Sequence, residues 1–399
     1  MDVRSNEPYW LIKNELPKSY PSLKASLSTE VLIIGGGITG ALMAYKLINE
    51  GKDVMLVERR DVCNGSTAAS TSMLQYEIDT PLHQLIEQRG LTCAVTSYRH
   101  CEKAIKTIKK ISTAIKSDCH FSYKKSVYFC TSKKDIDFLK KEYKARKKHG
   151  FSVKWLDTKA LEGLGLNAVA AIESKSGAVM DVYKFANALL KHCSEKGLQV
   201  YDRTSVETIK HSKHDVVCTL NSGHTISCQH VVHCTGYESV ETVKENIIDL
   251  KSTYALASEA FETIPQAFKN HIFWNTDEPY LYFRATSDNR VIVGGGDEDF
   301  KNAKKRDALL SKKETHLSQA FSKCFPNILF VADYSWAGTF GETKDGLPYM
   351  GQPHPKKNEH YILGFGGNGI TFSVMGMDAI LPSLEHAPHE YLDYYRFGR

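Results

Sequence analysis

The residues best suited to chemistry lie in TEVLIIGGGITGALMAYKLINEGKDVMLVERR, residues 29–60. Gly35, Gly37 and Gly40 form a GxGxxG run, with Ile38 and Thr39 inside it and Glu58 standing 18 residues beyond Gly40. Glycine at the first position permits a tight turn, at the second lets the backbone approach a diphosphate, and at the third allows close helix–strand packing. A helix starting there presents N–H groups and the positive end of its dipole to phosphate oxygens. A carboxylate at Glu58 can accept hydrogen bonds from both hydroxyls of a ribose. The chemistry is that of gripping a dinucleotide.

A lone GxGxxG would be weak evidence, so the flanking elements matter. Val31–Ile34 reads as a short strand buried on both faces, ALMAYKLINEG as a helix ending at Gly51, and Val54–Val57 as a second buried strand with Glu58 at its tip. Arg59 and Arg60 follow at once. The next loop is dense in small hydroxyl residues, Ser66, Thr67, Ser70, Thr71 and Ser72, before Met73. Such a loop can donate to phosphate and ribityl oxygens while leaving room for an extended cofactor, or it can be an ordinary polar surface loop. Gly294-Gly295-Gly296 ends a strand and runs into DEDF, which predicts a turn. With no second nucleotide-binding unit, electrons are expected from an organic substrate, not from NAD(P)H.

Composition narrows the alternatives. Hydrophobic content of 42% and charged content of 24% are ordinary for a globular protein. A net charge of +5 is small for 399 residues and argues weakly for nucleic acid. The first 21 residues lack the apolar core of a signal peptide, and Val31–Tyr45 is too short and glycine-rich to span a bilayer. Ten cysteines without a CxxC pair predict neither a zinc site nor a disulfide framework; no metal site is expected, and a cytoplasmic location is.

Further along, CEKAIKTIKKISTAIK predicts an amphipathic helix with Cys101, Ile105, Ile108, Ile111 and Ile115 on one side. KKDIDFLKKEYKARKKHG predicts a second helix whose lysines form a solvated face, partly offset by Asp135, Asp137 and Glu142, in preference to an RNA surface. Ala186, Leu189, Leu190 and Cys193 form the stripe of another helix. YLYFRATSDNRVIVGGG predicts a hairpin in an antiparallel sheet that also takes in LKSTYALASEAF.

Across residues 8–382 the chain resembles the D-amino-acid-oxidase-like flavoprotein superfamily, the group of glycine oxidase, sarcosine oxidase and related amine dehydrogenases. The resemblance implies an α/β fold: a Rossmann-type FAD-binding domain with an inserted α+β substrate domain built on a mainly antiparallel sheet. By this likeness the FAD domain takes residues 1–90, 150–240 and 331–399, and the substrate domain takes 91–149 and 241–330. NGSTAASTSML resembles the loop that wraps FAD. TSVETI places Val206, and HVVHCTGYES places Thr235 and Gly236, against the cofactor. YSWAGTFGETKDGLPYMG and YILGFGGNGITFSVMGMDAIL resemble the remaining signatures, placing Gly338, Gly364, Gly366, Gly367, Asn368, Gly369, Ile370 and Thr371 near the flavin.

The same likeness implies a substrate wall of Gln75, Tyr254, Tyr282, Arg284, Phe340 and Asn368. Either tyrosine could be ordinary sheet packing, and Arg284 either a carboxylate clamp or a surface residue. Glu77 could bind a substrate ammonium or cap a helix. Departures from the family pattern are informative. Phe340 and Gly367 stand where glycine oxidase has arginines, one of which binds the substrate carboxylate. Gln75 and Thr371 replace an arginine and a lysine of sarcosine oxidase-like enzymes. Ile292 replaces a lysine that assists reaction with oxygen, and Gly338 lies near the place of a flavin-tethering cysteine. The expectation is non-covalent FAD and oxidation of a C–N bond in an amine or amino-acid-like small molecule not held by its carboxylate. Electrons would pass to oxygen slowly, or to a carrier. The alternatives are oxidation of a 2-hydroxy acid, or a flavin-bearing subunit of a larger complex.

Overall fold

The computed structural model describes residues 2–5, 7–212, 215–243, 245–354 and 357–399. Two sheets organise them. The first has a parallel centre, in the order Glu359–Leu363, Thr225–His233, Leu27–Ile34, Val54–Val57 and Gln199–Tyr201. Tyr349–Gly351 closes one edge, and the antiparallel pair Val206–His211 and Val216–Leu220 branches from Thr225–His233.

The central strands are apolar on both sides because both faces are covered. Ile33 packs with Leu42, Leu189 and Ile380 from the helices Ile38–Asn49, Val182–Ser194 and Gly369–Leu384. Leu32, one residue away, points the other way into a cluster with Met55, Cys218 and Ile226. The helix Leu91–Ala114 adds Cys101, Ile105, Ile108 and Ile111 to the Ile33 side. Each buried isoleucine there contributes about 1.5–3 kcal/mol.

The second sheet runs Ala332–Glu342, Asp249–Ser258, Val291–Asp299, Leu281–Ala285, His271–Asn275, Ser122–Cys130, Ala170–Val179 and Met73–Gln75, with Val153–Leu156 also on Ala170–Val179. Among the described residues its ladders are antiparallel except that between His271–Asn275 and Ser122–Cys130. The expected hairpin is present, Tyr282 facing Gly294 and Arg284 facing Ile292.

Sheet membership departs from the boundaries expected at residues 91, 150 and 331. Val153–Leu156, Ala170–Val179 and Ala332–Glu342 pair into the second sheet, while Leu91–Ala114 packs on helices of the first. Ladder register and buried stripes, both non-local, decide these memberships. The triple glycine is not a turn either. Val291–Asp299 continues through it as a strand, with Gly295 at φ +128° and Gly296 at φ +67°, and the register against Asp249–Ser258 slips between Ser252 and Tyr254. That is a β-bulge, which glycine's freedom at positive φ permits.

The lysine-rich helix is Ile136–Lys148, and its lysines are exposed as expected. Glu142 is not among the surface charges that offset them: it is buried with Leu139 and Arg146 on the inward side. Among the described residues no helix is long and apolar enough to cross a membrane.

Candidate active site

The strand Leu27–Ile34 ends just before Gly35, and Gly37 caps the helix Ile38–Asn49 without a side-chain hydrogen bond of its own. Gly35 sits at φ +109°, and a Cβ there would lie 2.5 Å from the Cys234 carbonyl oxygen. A Cβ on Gly40 would lie 1.9 Å from the Gly35 oxygen, so Gly40 serves helix–strand packing and does not line a cavity. Thr67 Oγ1 accepts from the Ile38 N–H at 3.0 Å and ties the hydroxyl-rich loop to the helix start. Glu58 accepts from the Gly36 N–H at 2.8 Å and the Arg60 N–H at 2.9 Å, bracing the turn it faces.

These elements wall a cavity of about 540 Å³. Gly35, Gly37, Ile38, Thr39, Glu58, Arg59 and Arg60 line it from one side, with Ser66, Thr67 and Ser70 of the loop. Val206, Thr235 and Gly236 line another part, and Gly364, Gly366, Gly367, Gly369 and Ile370 the far end. Arg60 pairs with Glu238 at 2.6 Å, and Arg59 pairs with the same carboxylate. Thr235 Oγ1 is buried with no hydrogen-bond partner among the described residues, and Thr235 lines this cavity. A buried hydroxyl without a partner is costly unless a ligand satisfies it.

A second cavity of about 130 Å³ adjoins the first, and Ser66, Ser70, Tyr237, Gly366 and Gly367 line both. Thr71, Met73 and Gln75 form one wall, Gly338, Thr339 and Phe340 another, and Thr253, Tyr280, Tyr282 and Asp297 the third. Behind the glycines, Asp79 Oδ2 accepts from the Gly367 N–H at 2.7 Å. Thr71, Met73 and Gly338, expected at the cofactor, thus border this smaller space, and Gln75, Tyr282 and Phe340, expected on a substrate wall, line it too.

Several expected residues lie elsewhere. Tyr254 pairs with Gly295 whereas Tyr282 pairs with Gly294, so the pleat sends them to opposite faces. Tyr254 packs with Leu256, Phe283 and Leu317, and its hydroxyl donates to the Arg306 carbonyl at 3.2 Å. Arg284 is neither a clamp nor a surface residue: it is 2% exposed, and its Nη1 donates to the carbonyls of Thr71, Ser72 and Met180 at 3.0, 2.9 and 2.8 Å. Burial lowers its pKa to about 10. Its role is to hold the loop, which is also why Ser72, at φ +57° and fully buried, lines neither cavity.

Asn368 donates to the Gln75 and Glu77 carbonyls at 3.2 and 2.7 Å, and Thr371 donates to the Asn368 carbonyl at 2.8 Å. Both residues position the glycine turn and line neither cavity. Glu77 is buried against Arg146 at 3.2 Å and lines neither cavity. Asp297, Tyr280, Tyr237 and Asp79 were missed. A pair of glycines just before an acid in a strand was the available signal for Asp297.

The family model described as DAO, FAD dependent oxidoreductase, matches residues 30–379. The chain belongs to this family. It is an FAD-dependent oxidoreductase with an α/β fold, a Rossmann-type FAD-binding part and a mainly antiparallel second sheet. A Bacillus subtilis (strain 168) relative, YhfW, bearing the name of a Rieske 2Fe-2S iron-sulfur protein, is 26% identical over 96% of this chain and 74% of its own length. The gamma-glutamylputrescine oxidoreductase of Escherichia coli (strain K12) is 22% identical over 88% of this chain and 82% of its own. Among solved structures, glycine oxidase from Geobacillus kaustophilus superposes with a TM-score of 0.77 at 19% identity, covering 93% of this chain and 99% of that one.

The residues present fit FAD. The glycine cradle with its bare helix start suits a diphosphate, Glu58 suits ribose hydroxyls, and Thr235 has an unused hydroxyl.

Proposed function

We propose that this oxidoreductase oxidises a C–N bond of an amine or amino-acid-like substrate seated in the second cavity, giving an imine that water hydrolyses. The observation that carries the reading is that cavity. It abuts the dinucleotide site at Gly366 and Gly367, its walls are Tyr280, Tyr282, Phe340 and Met73, and its charged residue is Asp297. When bound, the flavin supplies the two-electron acceptor. The protein's part is to seat the substrate against Tyr282 and Phe340, exclude bulk water with that apolar wall, and bind the polar group at Gln75, Thr253 or Asp297. A 2-hydroxy acid would bring its carboxylate to a wall holding Asp297 and a phenyl ring, which disfavours that alternative.

Phe340 and Gln75 standing where relatives have arginines also argues against a glycine-like substrate held by its carboxylate. With no lysine or arginine among the described residues on this wall, superoxide forming beside it would lack a stabilising charge. We therefore assign a dehydrogenase or a slow oxidase, with electrons passing mainly to a carrier; the name borne by the Bacillus relative is compatible with an iron–sulfur one. FAD is held non-covalently in this reading, and the enzyme works in the cytoplasm.

The test is an anaerobic screen of amines and 2-hydroxy acids that follows bleaching of the flavin absorbance. Bleaching by amines supports the reading, and bleaching by hydroxy acids alone overturns it. Turnover of the isolated chain with an artificial electron acceptor excludes the role of a mere flavin-bearing subunit.

A further inference from the structure

We propose that Asp297 is the specificity-determining residue of the second cavity, binding the ammonium of a small cationic amine that carries no carboxylate beside the reacting carbon. The inference deepens the C–N reading above and rests on it.

Four observations converge. Asp297 Oδ1 is buried with no hydrogen-bond partner among the described residues, while the residue lines the cavity. A buried carboxylate oxygen without a partner is costly, and a ligand cation would remove that cost. Secondly, Tyr280 and Tyr282, with ring centroids 5.8 Å apart, and Phe340 surround the same space. Aromatic faces attract a cation through their quadrupole, the more strongly when water is excluded.

Thirdly, the nearby bases are engaged elsewhere. Arg284 is spent on the Thr71, Ser72 and Met180 carbonyls, and Lys313 donates to the Gly296 carbonyl at 2.6 Å and pairs with Glu298 at 2.7 Å. Fourthly, the bulge supplies the placement: two glycines at positive φ precede Asp297, where the register of the strand against its neighbour slips.

The charges around Asp297 extend the argument to the reaction. Burial pushes its carboxyl up; the Thr253 hydroxyl and Lys313 pull it down, and Glu342 and Asp79 push it further up, leaving it at about 7. Tyr280 and Tyr282 face the same space with their own values raised by burial, so they stay neutral. Amine oxidation needs the neutral amine. The Asp297 carboxylate is placed to take the ammonium N–H proton; the bound flavin would supply the acceptor for the adjacent C–H hydrogen and its electron pair, so that C=N could form. Water then adds to that bond, releasing a carbonyl compound and ammonium.

The experiment uses the FAD-loaded protein and two unreactive probes, tetramethylammonium chloride and sodium acetate, titrated by calorimetry. The wild type should bind tetramethylammonium at least tenfold more tightly than acetate, and Asp297→Asn should weaken tetramethylammonium by at least tenfold at unchanged flavin content. Acetate binding as tightly as tetramethylammonium, or an Asp297→Asn protein that keeps both flavin and tetramethylammonium affinity, would overturn the proposal. Should Asp297→Asn lose flavin, the wild-type comparison decides alone. Anaerobic bleaching separates the two levels. N-methylethylamine should bleach at a concentration at least tenfold below sarcosine, and sarcosine preferred over it sinks the Asp297 assignment while leaving C–N oxidation standing. Bleaching by hydroxy acids alone sinks both.

Discussion

Replacing Arg146 by methionine removes the cation that Glu77 and Glu142 share inside the protein. All three side chains are fully buried; Arg146 Nε lies 2.6 Å from Glu142 and its Nη1 3.2 Å from Glu77. Glu142 also accepts from the N–H groups of Leu82 and His83 at 2.9 and 3.0 Å, so it caps the helix Leu82–Arg89, which has proline at its own cap position. Breaking a buried pair by removing one partner costs about 3–5 kcal/mol. With an unfolding entropy of about 2.1 cal/mol/K per residue, the 399-residue chain melts with about 0.8 kcal/mol/K, so Arg146→Met should lower Tm by about 4–6 °C if the chain unfolds as one unit.

Burial pushes the Glu142 carboxyl up, but Arg146 and the His83 bonds outweigh it and hold it at about 2 against the usual 4.5. A folded value below the unfolded one means that this stabilisation is present above pH 4.5 and is lost as pH falls toward 2. In Arg146→Met the buried carboxylates prefer protonation, so the deficit should shrink between about pH 7 and pH 5. Glu77 differs, because burial outweighs Arg146 and its carboxyl is raised. Glu77→Gln should therefore cost under about 1 kcal/mol. Thermal melts of the flavin-loaded proteins at both pH values are the assay. A Tm within 1 °C of wild type at both, or Glu77→Gln as damaging as Arg146→Met, would refute the reasoning.

Gly40→Ala puts a Cβ 1.9 Å from the Gly35 oxygen, so the variant should purify with flavin occupancy, read from absorbance, reduced at least tenfold. Arg284→Ala removes a donor from the carbonyls of Thr71, Ser72, Met180 and Ala285 and should destabilise by about 2–4 kcal/mol in urea unfolding, yet shift the half-saturating amine concentration less than threefold, because Arg284 lines neither cavity. Stopped-flow mixing of substrate-reduced protein with air-saturated buffer should show slow return of flavin absorbance; rapid return would contradict the missing cation on the wall. Acid precipitation should leave a colourless pellet and a yellow supernatant, whereas a yellow pellet would mean a covalent flavin.

What could be read in advance follows from how local each signal is. The Gly35–Gly40 turn and the strand Val54–Val57 need only spacing within some thirty residues, and the fold supplies both. Tyr254 and Tyr282 could not be told apart by sequence, because their faces depend on register across a bulge that only the paired strands define. Arg284 and Arg146 show the same limit for charge: composition predicts solvent for an arginine, and only the carbonyls or carboxylates brought around it by distant segments make burial tolerable. One clue was present. Leu139, Glu142 and Arg146 recur at intervals of three and four, so all three share a helix face with a residue that must be inside.

Asp297 carries this reasoning furthest. A turn after Gly296 would have put DEDF in solvent, where three adjacent acids need no explanation. A strand that continues through the glycines separates them: Glu298 and Asp299 stay exposed, and Glu298 pairs with Lys313 while Asp299 pairs with Lys251. Asp297 alone of the three turns into the cavity, with an oxygen that nothing among the described residues satisfies. Two exposed carboxylates with lysine partners, and one with a buried oxygen that has no hydrogen-bond partner among the described residues, are different physical objects. The bulge makes that distinction, and the unpaired charge is the one a cationic substrate would complete.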